Sequence, residues 1–242
     1  MSHSRLHPLQ VNSATGEPYL RLPSPHDNII ITPPRMSDVD AAVHNLNDRK
    51  IVDFLIGPPF PYLPSHAEVW LSNVKEASDA VLAELGRDDP GQSDNEPKVV
   101  GRCPVHALRE VAEDGTETLI GDITIRRCDF AHEGAQRDMR REENEARPVG
   151  DPTIVWCIGD WLASSHHGRG IMSAALRTLM TEWAIPRMNV RVVRAEAYTE
   201  NFASTRVFEK FGFVQERIAD DVVTTNSGVT WHGVRLLWWK HS

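Results

Sequence analysis

This 242-residue chain has little cysteine, no long apolar run and no excess of basic residues. Its three cysteines, Cys103, Cys128 and Cys157, are odd in number and form no Cys-x-x-Cys pair, which argues against a disulfide framework and a zinc ribbon. Each lies in a strand-like segment, so the expectation is buried, inert thiols in a reducing compartment. No apolar run reaches membrane-spanning length, and no apolar stretch follows the basic residue near the N-terminus. A cytoplasmic location with no membrane partner is expected. The formal net charge of -8 argues against a general nucleic-acid surface, although an acidic surface can draw in an amine.

At 40% hydrophobic residues, there is enough apolar material for one sizeable core. Residues 1–28 hold Pro8, Pro18, Pro23 and Pro25 and read as an extended arm. Residues 29–242 read as a single domain, interrupted by polar insertions near 86–97 and 131–150. The first strand is placed at Asn28–Thr32. A helix follows, with Ser37 and Asp38 as cap candidates and Val39, Ala42, Val43 and Leu46 on one face. A longer helix is expected over Ser65–Leu85, with a stripe of Val69, Trp70, Val74, Ala77, Val81 and Leu85. Lys98–Val111 and Thr118–Cys128 read as a hairpin. Phe213–Val223 and Val229–Trp239 read as a closing pair around Asn226-Ser227-Gly228.

The densest information lies between residues 153 and 214. An apolar strand, Thr153–Ile158, runs through Gly159-Asp160-Trp161-Leu162 into His167-Gly168-Arg169-Gly170-Ile171-Met172, where an apolar-periodic helix begins. Glycines let a backbone approach a ligand closely, and the first helical turn presents unpaired N–H groups with the helix dipole behind them. The order of strand, small-residue loop and helix start therefore suits an anionic, phosphorylated guest. A third glycine is missing, and no Gly-Lys-Ser/Thr follows, so the dinucleotide and P-loop readings fall away. A second strand, Arg191–Ala197, leads to a second helix opened by Asn201.

The segments "HHGRGIMSAAL" and "YTENFASTRVFEKFGF" resemble the pyrophosphate loop and the asparagine–serine helix of the GNAT superfamily of N-acetyltransferases. The similarity is greatest to the branch of ribosomal-protein N-terminal and spermidine acetyltransferases. It covers Gly159 to Val214, with a weaker match at Ile29–Thr32, Arg35, Asp38 and Gly121-Asp122-Ile123. Ser165 departs from it, standing where the family usually carries Gln or Arg. His167 also replaces a common Gln.

The resemblance implies an α/β (α+β) fold: a twisted, mostly antiparallel sheet with splayed central parallel strands and helices on both faces. It implies acetyl-CoA as co-substrate and a primary amine as acceptor, either a small molecule or a protein N-terminus. The acyl oxygen would be held on the strand end at Asp160-Trp161-Leu162-Ala163. The pyrophosphate would sit on the amides of His167, Gly168, Arg169, Gly170, Ile171 and Met172. Asn201 would contact the pantetheine arm or cap its helix. Ser204 is placed near the thioester sulfur as donor to the leaving thiolate, with Tyr198 as its rival. Glu196 and Asp160 are the candidates for general base, and Asp122 is a third. No metal is expected, since His166 and His167 on a tight loop point apart. The tryptophans Trp231, Trp238 and Trp239 read as core of the last strand, with lining of an acceptor pocket together with Trp161 as the alternative. A catalytically silent acyl-CoA binder with the same fold is the rival reading, and a homodimer is left open.

Overall fold

A computed structural model describes residues 5–87 and 97–241. Most of the polar break expected at 86–97 lies outside these residues. In chain order the elements are β1 (Gln10–Val11), β2 (Pro18–Arg21), β3 (Ile29–Thr32), α1 (Val39–Leu46), α2 (Arg49–Val52) and α3 (Pro64–Gly86). Next come β4 (Ala107–Val111), β5 (Glu117–Arg127), α4 (Arg137–Glu145), β6 (Val155–Leu162), α5 (Ile171–Thr178) and α6 (Ile185–Met188). The chain closes with β7 (Val192–Tyr198), α7 (Phe202–Phe211), β8 (Val214–Thr224) and β9 (Thr230–Lys240).

The strands form one sheet in the order β1-β2-β3-β4-β5-β6-β7-β9-β8. Every neighbouring pair is antiparallel except β6 and β7. A parallel pair needs a crossover, and α5, a π-helical stretch at Leu179–Ala184 and α6 supply it. The β6–β7 pairing ends at Cys157↔Arg194, although β6 runs on to Leu162 and β7 to Tyr198. Beyond that point each strand is held from its outer side alone. Gly121 pairs with Leu162 on one side and Tyr198 with Val234 on the other. The two strands therefore diverge into an open V.

Both faces of the sheet are covered. Ile158 and Leu162 pack with Ile171, Met172 and Leu176 in the main core, while Trp161 and Leu119 pack with Ala42 and Leu46 opposite. This follows from strand alternation, since neighbouring residues on β6 point to opposite faces.

Several local expectations are revised. The stretch expected as an arm contributes β1 and β2, and its Leu9, Leu20 and Leu22 are buried in the main core. Prolines obscure the alternation there without preventing sheet pairing. The strand expected from Lys98 forms only at Ala107–Val111. The buried stripe of α3 is Ala67, Leu71, Ser78, Val81 and Leu85, whereas Val69 is 64% exposed. Ser78 tolerates burial because its hydroxyl donates to the Pro104 carbonyl at 2.6 Å. Asp38 stands at the N-cap position of α1, but its carboxylate accepts from the Arg35 amide at 2.9 Å and pairs with buried Arg109 at 2.7 and 2.6 Å. Within 131–150, α4 is anchored by buried Asn144, which bonds Cys128 and Val155 backbone. Among the described residues, no helix is long and apolar enough to cross a membrane.

Candidate active site

The V between β6 and β7 opens into a cleft of about 900 Å³. On the β6 wall, the Ala163 amide donates to Ile120 O at 2.7 Å. Antiparallel alternation then turns the amides of Leu162 and Asp160 toward the open side. Ala163 itself is buried and its N–H is taken, so it offers a ligand no donor. Trp161 lines the cleft. His167 Nε2 donates to the Leu162 carbonyl at 2.8 Å, fixing the strand end against the loop that follows.

That loop begins with a 3-10 turn at Ser164–His166, which takes the His167 amide for Ser164 O at 3.3 Å. Gly168 and Gly170 then adopt left-handed conformations, with φ of 74° and 83°. Other L-residues are strained there, so both glycines are needed for this path. Gly170 caps α5, its carbonyl accepting from Ala174 N–H at 3.0 Å. The first-turn amides of Ile171 and Met172 have no intrahelical acceptor, and both side chains are buried. Arg169 is half exposed, with its guanidinium 3.8 Å from Glu110. The two histidines diverge as expected. His166 turns to Glu110 at 3.2 Å, and Ser165 Oγ lies 2.9 Å from its Nδ1.

On the β7 wall, Asn201 caps α7 by accepting from the Ser204 amide at 3.1 Å. The Ser204 side chain borders the cleft from the first turn of α7. Tyr198 also borders it. Its hydroxyl is buried with no hydrogen-bond partner among the described residues, and burial pushes its pKa up to about 12. The ring stacks on Trp231 at 5.7 Å, and Trp231 on Phe54 at 4.8 Å. Trp231 thus stands beside the cleft, donating from Nε1 to Asp53 O at 2.7 Å. Trp239 packs with Phe211 and Phe213 away from it, and Trp238 bonds Glu216.

The carboxylates differ sharply in surroundings. Asp160 is half-buried, and burial together with the charge of Asp122 raises its pKa to about 6. Asp122 is itself buried and lies 2.6 Å from His106 Nδ1, off the cleft. Glu196 sits 3.1 Å from the buried guanidinium of Arg194 and 3.4 Å from His132 Nε2. The other nitrogen of His132 lies 2.5 Å from Asp221. Burial works against the charged imidazole, but Glu196 and Asp221 outweigh it and the His132 pKa is raised. His132 belongs to the polar insertion expected near 131–150. A lone histidine, in Ala131-His132-Glu133, gives no motif by which sequence reasoning could find it.

One further grouping was not legible in the sequence. The Cys128 and Cys157 thiols and the Glu196 carboxylate have ligand atoms within 4.8 Å of one another. Their hydrogen bond and burial hold the Cys157 thiol well above its ordinary pKa, so the two sulfurs do not ionise together. Arg194 already supplies the positive charge beside Glu196, and the set fits a salt-bridged strand junction better than a thiolate metal centre.

The fold and cleft define a class: a sheet opened at a parallel pair, with a glycine-rich helix start at its mouth. A family model, acetyltransferase (GNAT) domain, matches residues 28–214. The chain belongs to this GNAT acetyltransferase family. A curated relative, the probable N-acetyltransferase YjcK of Bacillus subtilis (strain 168), is 38% identical over 69 residues, spanning 28% of this chain and 38% of that protein. Among solved structures, ribosomal-protein-S5-alanine acetyltransferase from Vibrio fischeri aligns with a TM-score of 0.58 at 14% identity, over 88% of this chain and 93% of the other. Microcin C7 self-immunity acetyltransferase MccE, solved with acetyl-CoA and AMP, gives a TM-score of 0.58 at 13% identity over 89% and 93%. Mycobacterium smegmatis RimJ, solved with CoA-disulfide, gives 0.54 at 19% over 93% and 86%. At these identities the likeness is one of fold.

Proposed function

We propose that the protein transfers an acetyl group from acetyl-CoA to a primary amine by direct attack on the thioester. The observation that carries this reading is the open V, with left-handed Gly168 and Gly170 at one mouth and the Glu196–His132–Asp221 chain on its opposite wall. The diphosphate would rest on the amides from Gly168 to Met172 at the start of α5, where dipole and free donors favour an anion. Pantetheine would run between β6 and β7, with Asn201 free to offer its Nδ2.

In the transfer itself, the Leu162 N–H polarises the acyl carbonyl. The amine nitrogen attacks the carbonyl carbon, the C–S bond breaks, and the thiolate takes a proton from Ser204 or Tyr198. The Tyr198 hydroxyl, buried and without a hydrogen-bond partner among the described residues, favours that residue. Glu196 takes the proton lost by the attacking nitrogen, and His132 passes it to exposed Asp221 and solvent. Asp160, ionised above about pH 6, draws the ammonium to the opening.

Release of free CoA from acetyl-CoA tests the reading, measured against polyamines, amino sugars, amino acids and N-terminal peptides. Turnover with one class, lowered in Tyr198→Phe or Ser204→Ala, supports it and separates the two donors. Saturable acetyl-CoA binding with no turnover across the panel would instead mark a silent binder.

A further inference from the structure

A second cavity, of about 620 Å³, adjoins the cleft across Gly159-Asp160-Trp161. Those three residues, with Leu55 and Gly57, border both spaces, so the two lie side by side. Its volume is typical of a small-molecule site. The floor is the α1/α3 face of the sheet at Asp122 and Thr124.

Its walls are mostly apolar. Trp70 and Val69 come from α3, Tyr62 from just before it, and Pro58 and Pro59 from the loop after α2. Val69 is 64% exposed, an unusual state for a large apolar residue on a helix whose other valines are at least partly covered. Ser65, His66 and Asn73 add polar groups along α3. Among the described residues no lysine or arginine lines the space, and its carboxylates are Asp122 and Asp160, both on the sheet. Asp122 is already engaged by His106, whereas Asp160 at the junction has no ion-pair partner among the described residues.

We infer that this cavity receives the body of the acceptor, and that the acceptor is a small primary amine carrying one bulky, uncharged aromatic or branched aliphatic group. This rests on the acetyl-transfer reading above. The ammonium sits at the Asp160 junction facing the thioester, and the apolar group lies between Trp161 and the α3 wall. A polyamine would bring further ammonium groups against Val69, Trp70 and the prolines with no counter-charge. An amino sugar would leave hydroxyls unpaired against the same surface. The segment Asp53–Pro58 that roofs the junction is pinned by the β8–β9 turn. Asn226 Nδ2 donates to Ile56 O and Pro58 O at 2.9 and 3.0 Å, and Ser227 Oγ to Asp53 at 2.8 Å. The cavity is thus held in shape without a ligand.

The test uses the full chain with saturating acetyl-CoA. The probes are 2-phenylethylamine and isopentylamine against spermidine, glucosamine and an alanine-initiated tetrapeptide. The first two should exceed the others in kcat/KM by about tenfold or more. Val69→Asp and Trp70→Ala should each raise KM for 2-phenylethylamine about tenfold, while KM for acetyl-CoA stays as in the native chain. Preference for spermidine, glucosamine or the peptide, or indifference to both substitutions, would overturn the inference while leaving acetyl transfer intact. Absence of CoA release with every amine would overturn the transfer reading instead. The cavity is then read alone by tryptophan fluorescence: saturable binding of 2-phenylethylamine, weakened about tenfold by Val69→Asp, upholds it, and no binding overturns it.

Discussion

The imidazole of His132 stands 3.4 Å from the carboxylate of Glu196 and so ties a charged insertion to the open end of a core strand. The contact joins β7 to the segment after β5, and Asp221 extends it to β8. It gives Glu196 a route to solvent that does not cross the apolar side of the cleft.

If that route carries the proton, Glu196→Gln should lower kcat by about 10²-fold or more, the range for loss of a general base. His132→Gln should lower it less and move the pH–rate profile, since Glu196 would then exchange with water more slowly. Neither should change KM for acetyl-CoA. A kcat effect without any change in pH profile would assign His132 a structural role.

The same histidine sets a pH dependence of stability. Its pKa is raised in the folded state above the ordinary 6.5, so the stabilisation is fully present below that value. It is lost as pH rises through the folded pKa. Denaturant midpoints measured from pH 6 to 9 should fall for the native chain, and the fall should be smaller in His132→Gln.

Asp160 behaves in the opposite sense to a salt-bridged carboxylate. Its folded pKa of about 6 exceeds the ordinary 3.8, so ionisation costs stability as pH rises between those values. Asp160→Asn should therefore stabilise the fold at pH 8 by about 1 to 3 kcal/mol, allowing for its partial exposure. It should also weaken amine turnover. A variant no more stable than the native chain would show that the carboxyl is not held at a cost.

Much of this architecture could be read from the sequence because local rules and tertiary demands agree. Gly168 and Gly170 sit where backbone conformation requires them, Asn201 caps the helix it precedes, and the Asn226-Ser227-Gly228 hairpin joins two antiparallel strands. Local pattern failed where long-range partners decide. Leu9, Leu20 and Leu22 lie in a proline-broken stretch, yet the sheet edge recruits them. The α3 stripe rotates because Ser78 finds a carbonyl and Val69 faces a cavity. His132, Cys128 and Cys157 meet Glu196 only through the sheet register, which no short motif encodes.

The buried Arg109–Asp38 pair offers a stability test away from the cleft. It crosses from β4 to the start of α1, and both side chains are at most 5% exposed. Removing one partner leaves an uncompensated buried charge, so Asp38→Ala should cost about 3 to 5 kcal/mol. Thermal or denaturant unfolding measures this, and a cost below 1 kcal/mol would show that water reaches Arg109.

The central claim is that the glycine loop holds the diphosphate of acetyl-CoA. Equilibrium binding of acetyl-CoA to the native chain and to Gly170→Ala tests it most directly, because an alanine at φ of 83° must either strain or move the loop. Saturable binding by the native chain, weakened about tenfold or more in a folded Gly170→Ala, is the expected result. Equal affinity in both, or no binding by the native chain, would contradict the account.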